Sequence, residues 1–226
     1  MIGDPVALTI RRRIRRPPAA LLAKFAGRPS GFVTDARDGR GCMDHGIKPL
    51  EPQMYFCGPA VTAFCAPMDI LAAMASLDFV KPGDVIVIGT AGNRTAATIG
   101  DLWLAEARRK GVAAVVCDGL VRDVKGLLKA RVPVFARGVT PNSGFRNGPG
   151  EINTGVTCGG QYVGPGDVVV GDRDGVVVVP LAEAKAIAAS LELVEEKEAR
   201  AERDVAAGRR RFWNPQALPG KLRYLD

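Results

Sequence analysis

Two short stretches of this chain carry residue types that can do chemistry together. In "TIGDLW", Gly100 and Asp101 open an apolar-periodic segment, and in "CDGLVRD" an arginine, Arg122, stands beside Asp123 just after an apolar run. An aspartate at a helix start ordinarily caps orphan amides. The same geometry offers the amides around Gly100, Asp101 and Leu102, and the positive end of a helix dipole, to an anion such as a carboxylate. Arg122 supplies a planar two-pronged donor for a carboxylate or carbonyl oxygen, and Asp123 a hard oxygen ligand, unless the two are merely a surface ion pair. Twenty residues separate Asp101 from Arg122, enough for a helix, a tight turn and a returning strand. If the strands involved are neighbours, both loops open at one end of a sheet.

Other chemistries are excluded or weakened by what the chain lacks. A single histidine, His45, excludes a three-histidine zinc site and any site needing two histidine bases. A Cys42–His45 nucleophilic pair has no orienting context in its glycine-rich loop. The stretch "GTAGNRTAATIG" contains neither G-x-G-x-x-G nor a phosphate-loop lysine. Lys125 is the nearest Schiff-base candidate, but its position one turn into a helix argues for exposure. Five cysteines, odd in number and without C-x-x-C spacing, point to reduced thiols.

The elements that must position these residues follow from pattern. With 226 residues and 47% apolar side chains the chain buries a core as one domain with appendages. No apolar run approaches the roughly 20 residues of a membrane span, and the basic N-terminus lacks a signal peptide's apolar region, so a cytoplasmic protein without membrane contact is expected. Residues 1–18 read as an irregular basic arm stopped by Pro17-Pro18, and Ala19 to Phe25 as a short helix. The glycine-rich "SGFVTDARDGRGCMDHGIKPL" reads as loop. Strands are expected in "CGPAVTAFCAP", at Val85 to Ile88, at Val112 to Cys117 and in "VPVFARG", with helices over Met68 to Leu77 and Asp101 to Lys110. A hairpin turned at Arg173-Asp174-Gly175 precedes a long charged helix from Leu181 to about Ala207. Pro82-Gly83-Asp84 and Pro165-Gly166-Asp167 each precede a valine-rich run, which shared turn chemistry explains.

The net charge of +7 is concentrated in five arginines between Arg11 and Arg16 and in Arg209, Arg210 and Arg211. Both clusters lie outside the apolar middle and have no interleaved aromatics to stack bases, which argues against a nucleic-acid partner and for terminal arms or subunit contacts.

In the order and spacing of "GPAVT", "GDLWLAEARRKGVAAVVCDGLVRDV", "PVFARG" and "GGQYVGPGDVVVGDRDGVVVVP", the chain resembles the RraA-like family, and within it the class II 4-hydroxy-4-methyl-2-oxoglutarate/4-carboxy-4-hydroxy-2-oxoadipate aldolases. The most specific element is an aspartate, twenty residues, then Arg-Asp: Asp101 and Arg122-Asp123. The resemblance implies an α/β fold of the swivelling β/β/α type over residues 19–180, preceded by the arm. Residues 181–226 then form a C-terminal helix and tail packing on a neighbouring subunit of a trimer or hexamer. It also implies Mg²⁺ or Mn²⁺, a 2-oxo acid substrate bound by Gly100, Asp101, Leu102 and Arg122, and Arg122 and Asp101 as catalytic residues. Asp123 would hold the metal, together with Glu195 or Glu198 from a neighbour's helix.

The reaction so implied is carbon–carbon cleavage to a pyruvate enolate, with oxaloacetate decarboxylation as a related activity. The family's other branch binds and inhibits an endoribonuclease without catalysis. Trp103 follows "GDL" where relatives carry a small aliphatic residue, and is expected in the core rather than in the substrate pocket.

Overall fold

The computed structural model describes residues 6–209, 213 and 215–225; Arg210 and Arg211 of the second arginine cluster lie outside them. In chain order the strands of the first half are β1 (Leu8–Ile10), β2 (Lys48–Pro49), β3 (Phe56–Cys65), β4 (Val85–Gly89), β5 (Ala97–Ile99), β6 (Ala114–Cys117) and β7 (Leu120–Val121). The second half holds β8 (Val134–Ala136), β9 (Gly138–Val139), β10 (Gly150–Ile152), β11 (Val156–Cys158), β12 (Gln161–Val163), β13 (Val168–Asp172) and β14 (Gly175–Val179). The helices are α1 (Ala19–Leu22), α2 (Ser30–Asp35), α3 (Leu71–Ser76), α4 (Asp101–Arg109), α5 (Val124–Ala130) and α6 (Ala184–Ala206).

Strands that are apolar at every position must bury both faces, and here they do. In β4, Val85 and Val87 enter one apolar cluster and Ile86 and Ile88 another; in β6, Ala114 and Val116 oppose Val115 and Cys117 in the same way. The main sheet runs β1-β10-β3-β4-β6-β8-β2. Its first face packs on α3, α4 and α5 through residues such as Ala73, Leu104 and Leu127. Its other face meets the β13–β14 hairpin through Val169, Val176 and Val178. The far side of that hairpin, Val168, Val170, Val177 and Val179, is covered by Phe25, Val33 and the α6 residues Ile187 and Leu191. The result is a layered α/β fold closed by a long C-terminal helix.

Strand β3 joins the layers. Residues 56–59 pair with β13, residues 60–64 run parallel to β4, and residues 63–65 pair with β10. Both proline-glycine-aspartate turns are built alike. Asp84 accepts the Lys81 amide at 2.6 Å and Asp167 the Gly164 amide at 2.7 Å, with Gly83 and Gly166 at φ near +90°. That is the third position of a type II turn, where glycine's freedom is needed.

Two expectations change. The arm is not irregular throughout, because β1 pairs parallel with β10, from Leu8 opposite Gly150 to Ile10 opposite Ile152. The glycine-rich stretch after Pro29 opens with α2, whose Ser30 donates its amide and hydroxyl to Asp172 at 2.7 Å each while Val33 is fully buried. Tertiary docking there overrides low helix propensity.

Candidate active site

The loops that carry the chemistry are assembled by a small sheet of their own. β5, β7 and β9 lie side by side, all parallel, with Ala97 opposite Leu120 and Leu120 opposite Gly138. Parallel strands deliver their C-terminal ends to one edge, so Gly100-Asp101, Arg122-Asp123 and the segment after Val139 emerge together. Backbone bonds lock the edge: the Arg122 amide donates to Ile99 at 3.1 Å, the Thr140 amide to Val121 at 3.0 Å and the Ala97 amide to Asn142 at 3.0 Å. The expected convergence of the two loops is found, but two- and three-residue strands produce it, not the main-sheet strand β6 alone.

Asp101, Arg122 and Asp123 line one cleft of about 240 Å³, together with Ser143, Arg146 and the apolar Met74. Arg122 Nε lies 3.1 Å from Asp123 Oδ2, and Arg122 Nη1 donates to Ser143 Oγ. Both members of the Arg122–Asp123 pair are about 40% exposed, so the pair contributes little to stability. The guanidinium is thus oriented from two sides, while its Nη2 makes no hydrogen bond among the described residues.

Asp101 does not take the capping position. Gly100 is the N-cap of α4, extended, and the Asp101 carboxylate instead accepts the Leu102 amide at 2.7 Å. Of the three amides proposed for an anion, that of Leu102 is therefore already engaged. Helix α4 buries Trp103, Leu104 and Ala107, carries Asp101 in its first turn and Arg108 and Arg109 in its last, and stops at Gly111, φ +76°. Val112 then donates back to Ala107 at 3.0 Å, the bond that closes a glycine-terminated helix. Trp103 is 6% exposed and donates its indole N–H to the Ala73 carbonyl at 3.0 Å, as a core residue whose edge reaches the cleft.

Asp123 sits at φ +61° as the N-cap of α5, a left-handed conformation that aspartate tolerates better than most residues. Two glycines let the two loops touch. A Cβ on Gly100 would fall 2.6 Å from Asp123 Oδ2, and one on Gly126 would fall 2.4 Å from Asp101 Cβ.

The third loop was not legible from the sequence. Buried Asp69 accepts the amides of Leu71 at 2.8 Å, Asn147 at 2.6 Å and Gly148 at 2.9 Å. The Phe145 amide also donates to Met68 O at 2.7 Å. These bonds fasten residues 143–148 beside α3 and so bring Ser143 and Arg146 to the cleft. An aspartate followed by a helix start was the only local signal.

Glu195 and Glu198 lie on α6 and do not line this cleft in their own chain; Glu195 pairs with Arg28 at 2.6 Å. Cys42 and His45 line a separate cleft, where Cys42 Sγ is 3.1 Å from Thr34 Oγ1. Lys125 is exposed, as expected. Among the described residues no three His, Cys, Asp or Glu side chains converge as a metal cage, and no helix is long and apolar enough to cross a membrane. Burial pushes the thiols of Cys57, Cys65 and Cys117 up to about 12 and that of Cys158 well above its usual value.

A parallel-stranded edge presenting a guanidinium held by a carboxylate and a hydroxyl, with a second carboxylate in the same cleft, on a layered α/β scaffold defines a class for which relatives exist. Residues 32–178 match the family model described as Aldolase/RraA, and the chain belongs to this RraA-like family. A protein of Halalkalibacterium halodurans named "Putative 4-hydroxy-4-methyl-2-oxoglutarate aldolase" is 39% identical over 159 residues, 70% of this chain and 76% of the relative. RraAS2 of Streptomyces coelicolor, described as an unusual member of the RNase ES inhibitor RraA protein family, superposes with TM-score 0.75 at 29% identity, covering 83% of this chain and 99% of that one. An uncharacterised protein of Pseudomonas syringae pv. tomato has the same TM-score at 25% identity, over 86% of this chain and 96% of its own. The family and the α/β fold class read from the sequence are borne out, as is the likeness to the aldolase branch.

Proposed function

We propose that the chain is a divalent-metal-dependent pyruvate aldolase, a carbon–carbon lyase cleaving 4-hydroxy-4-methyl-2-oxoglutarate or a similar 4-hydroxy-2-oxo acid, with oxaloacetate decarboxylase activity. The observation that carries this reading is the shared cleft of Asp101, Arg122 and Asp123. The similarity to the H. halodurans protein supports it.

The substrate carboxylate binds at the start of α4, against amides left free of Leu102's bond to Asp101, where the helix dipole favours an anion. Cleavage breaks the C3–C4 bond. The electron pair moves between C2 and C3, negative charge gathers on the former ketone oxygen, and the C4 hydroxyl surrenders its proton as C4 becomes the ketone of the second product. Arg122, held by Asp123 and Ser143, aims a fixed donor at that oxygen; loss of one such donor costs about a hundredfold or more in turnover. Asp101 positions the water that takes the hydroxyl proton, and a proton returned to C3 completes pyruvate.

The donor set suits Mg²⁺ or Mn²⁺, since a cation that keeps several waters needs only one or two carboxylates and no closed cage. A divalent cation would be held by Asp123 and water, with Glu195 or Glu198 from a neighbouring copy, and would supply Lewis acidity. In this reading the chain works as a trimer or hexamer in the cytoplasm. Apolar side chains left exposed beside the cleft, Leu102 at 84% and Phe145 at 60%, support a covering copy there.

The similarity to S. coelicolor RraAS2 favours a second reading, a regulator that binds and inhibits an endoribonuclease without catalysis. One assay separates them. Purified protein with 4-hydroxy-4-methyl-2-oxoglutarate or oxaloacetate and Mg²⁺ releases pyruvate if it is the lyase, and Arg122→Ala removes the activity. No turnover on either acid, with tight endoribonuclease binding, selects the regulator.

A further inference from the structure

The basic arm is fastened to the body at several points. Beyond β1, the Arg11 amide donates to Ile152 O at 3.0 Å and the Asn153 Nδ2 donates to Arg11 O at 3.1 Å. Arg16 grips buried Asp84 with two bonds, Nε to Oδ1 at 2.8 Å and Nη2 to Oδ2 at 2.6 Å. Between these anchors, Arg12 and Arg13 are exposed and, like Lys81, have no carboxylate partner among the described residues. All three line a cavity of about 410 Å³. Its lining acid, Asp78, faces Lys110 at 3.7 Å, and Arg16 is neutralised by Asp84, so three cations share the space without compensation.

A second, independent feature points the same way. Asn153 lines the same cavity, is 1% exposed and stands at φ +57°. Its Nδ2 is used, but its Oδ1 accepts no hydrogen bond. A buried acceptor left empty bears its full desolvation cost, and such atoms are rare unless something outside the chain fills them. Ile14, Phe79 and Val80 add an apolar wall. The cavity shares no lining residue with the Asp101–Arg122 cleft.

We infer that this cavity is a second binding site, for a small phosphoryl-bearing molecule of nucleotide size that also carries a hydroxyl or amino donor. The phosphoryl oxygens meet Arg12, Arg13 and Lys81, the donor meets Asn153 Oδ1, and the apolar wall takes the remaining body. A pocket of this size fits one nucleotide. A groove that tracks a strand would need stacking aromatics along the arm, and there are none between Arg11 and Arg16. The site does not depend on the lyase reading, because none of its residues serves that cleft.

The test is calorimetric titration of ADP into the full-length protein at low salt, with inorganic pyrophosphate and a single-stranded RNA oligomer as separate arms. One saturable ADP site per chain is expected, weakened about tenfold or more in Arg12→Ala/Arg13→Ala and weakened in Asn153→Asp, which sets a carboxylate among the cations. Arg122→Ala should leave ADP binding unchanged. Circular dichroism melts of the arginine double variant, whose residues are exposed, establish that its fold persists. The inference is overturned by no saturable ADP or pyrophosphate binding at millimolar concentration, or by equal binding in the double variant. It is equally overturned by loss of binding in Arg122→Ala, or by RNA affinity that grows with length and is not displaced by ADP.

Discussion

The carboxylate of Asp101 lies directly over the backbone of Gly126, so close that a methyl group there would meet Asp101 Cβ and Oδ2 at 2.4 Å. The first turns of α4 and α5 are thereby fitted to one another, and the position of Asp101 is set by a residue that does no chemistry itself. Alanine at Gly126 would gain about 1 kcal/mol in helix propensity. The clash with a Cβ atom, which cannot rotate away, should outweigh that gain by roughly 1–3 kcal/mol. Gly126→Ala is expected to lower the urea midpoint and to reduce pyruvate release together.

Gly100→Ala should behave differently. Its Cβ would meet the far end of the Asp123 side chain, Oδ2 at 2.6 Å, which can swing aside at little cost. Unchanged thermal stability with a fall in turnover of about tenfold or more is expected, because the displaced carboxylate also orients Arg122. A melt and a steady-state assay on the same preparation distinguish the two glycines.

Arg122→Lys retains the charge but not the fork that reaches both Asp123 and Ser143. We expect kcat to drop nearly as far as in Arg122→Ala, about a hundredfold or more, with a smaller change in KM. Ser143→Ala, which removes one of the two orienting contacts, should lie between wild type and these variants.

Chelation should abolish pyruvate release, and added Mg²⁺ or Mn²⁺ should restore it. Asp123→Asn, which removes a hard charged ligand while keeping the side-chain shape, should raise the metal concentration needed for half-maximal activity. Activity that persists undiminished in excess chelator would sink the metal-dependent reading.

Thiol chemistry offers a check on packing. With the pKa values of Cys57, Cys65 and Cys117 raised to about 12 and that of Cys158 raised well above its usual value, all by burial, these groups remain protonated, and so unreactive, at pH 8 in the folded protein. Cys42 is exposed. One fast-reacting thiol at pH 8 is expected in a disulfide-exchange assay, and all five after unfolding. The fast phase should vanish in Cys42→Ser.

Arg16→Ala tests how the arm is held. Asp84 is 1% exposed, so removing its partner strands a buried carboxylate at a cost of roughly 3 kcal/mol, readable as a lower urea midpoint. A change within a few tenths of a kcal/mol would mean that the Arg16–Asp84 pair contributes nothing to the fold and that the arm is held by β1 and the Arg11 backbone alone.

The parts of the fold that were legible in sequence are those whose signals are local. Helix α4 shows in the spacing of Trp103, Leu104 and Ala107 and in the glycine that ends it. The hairpin of β13 and β14 shows in two valine runs about a turn. β1, β5, β7 and β9 were invisible, because two or three residues carry too little periodicity to register. The same limit hid Asp69, whose three amide partners lie in two segments far apart along the chain.

For the site, residue types and spacing alone singled out Asp101, Arg122 and Asp123 and their distribution over two loops, because side-chain chemistry and the length of a helix-and-strand return are properties of the chain itself. Folding added the rest: that Ser143 holds Arg122, that Asp101 engages the Leu102 amide rather than capping, and that Arg146 joins the cleft. Those contacts depend on the register of strands too short to form without neighbours, and on glycines whose necessity appears only when another loop closes against them.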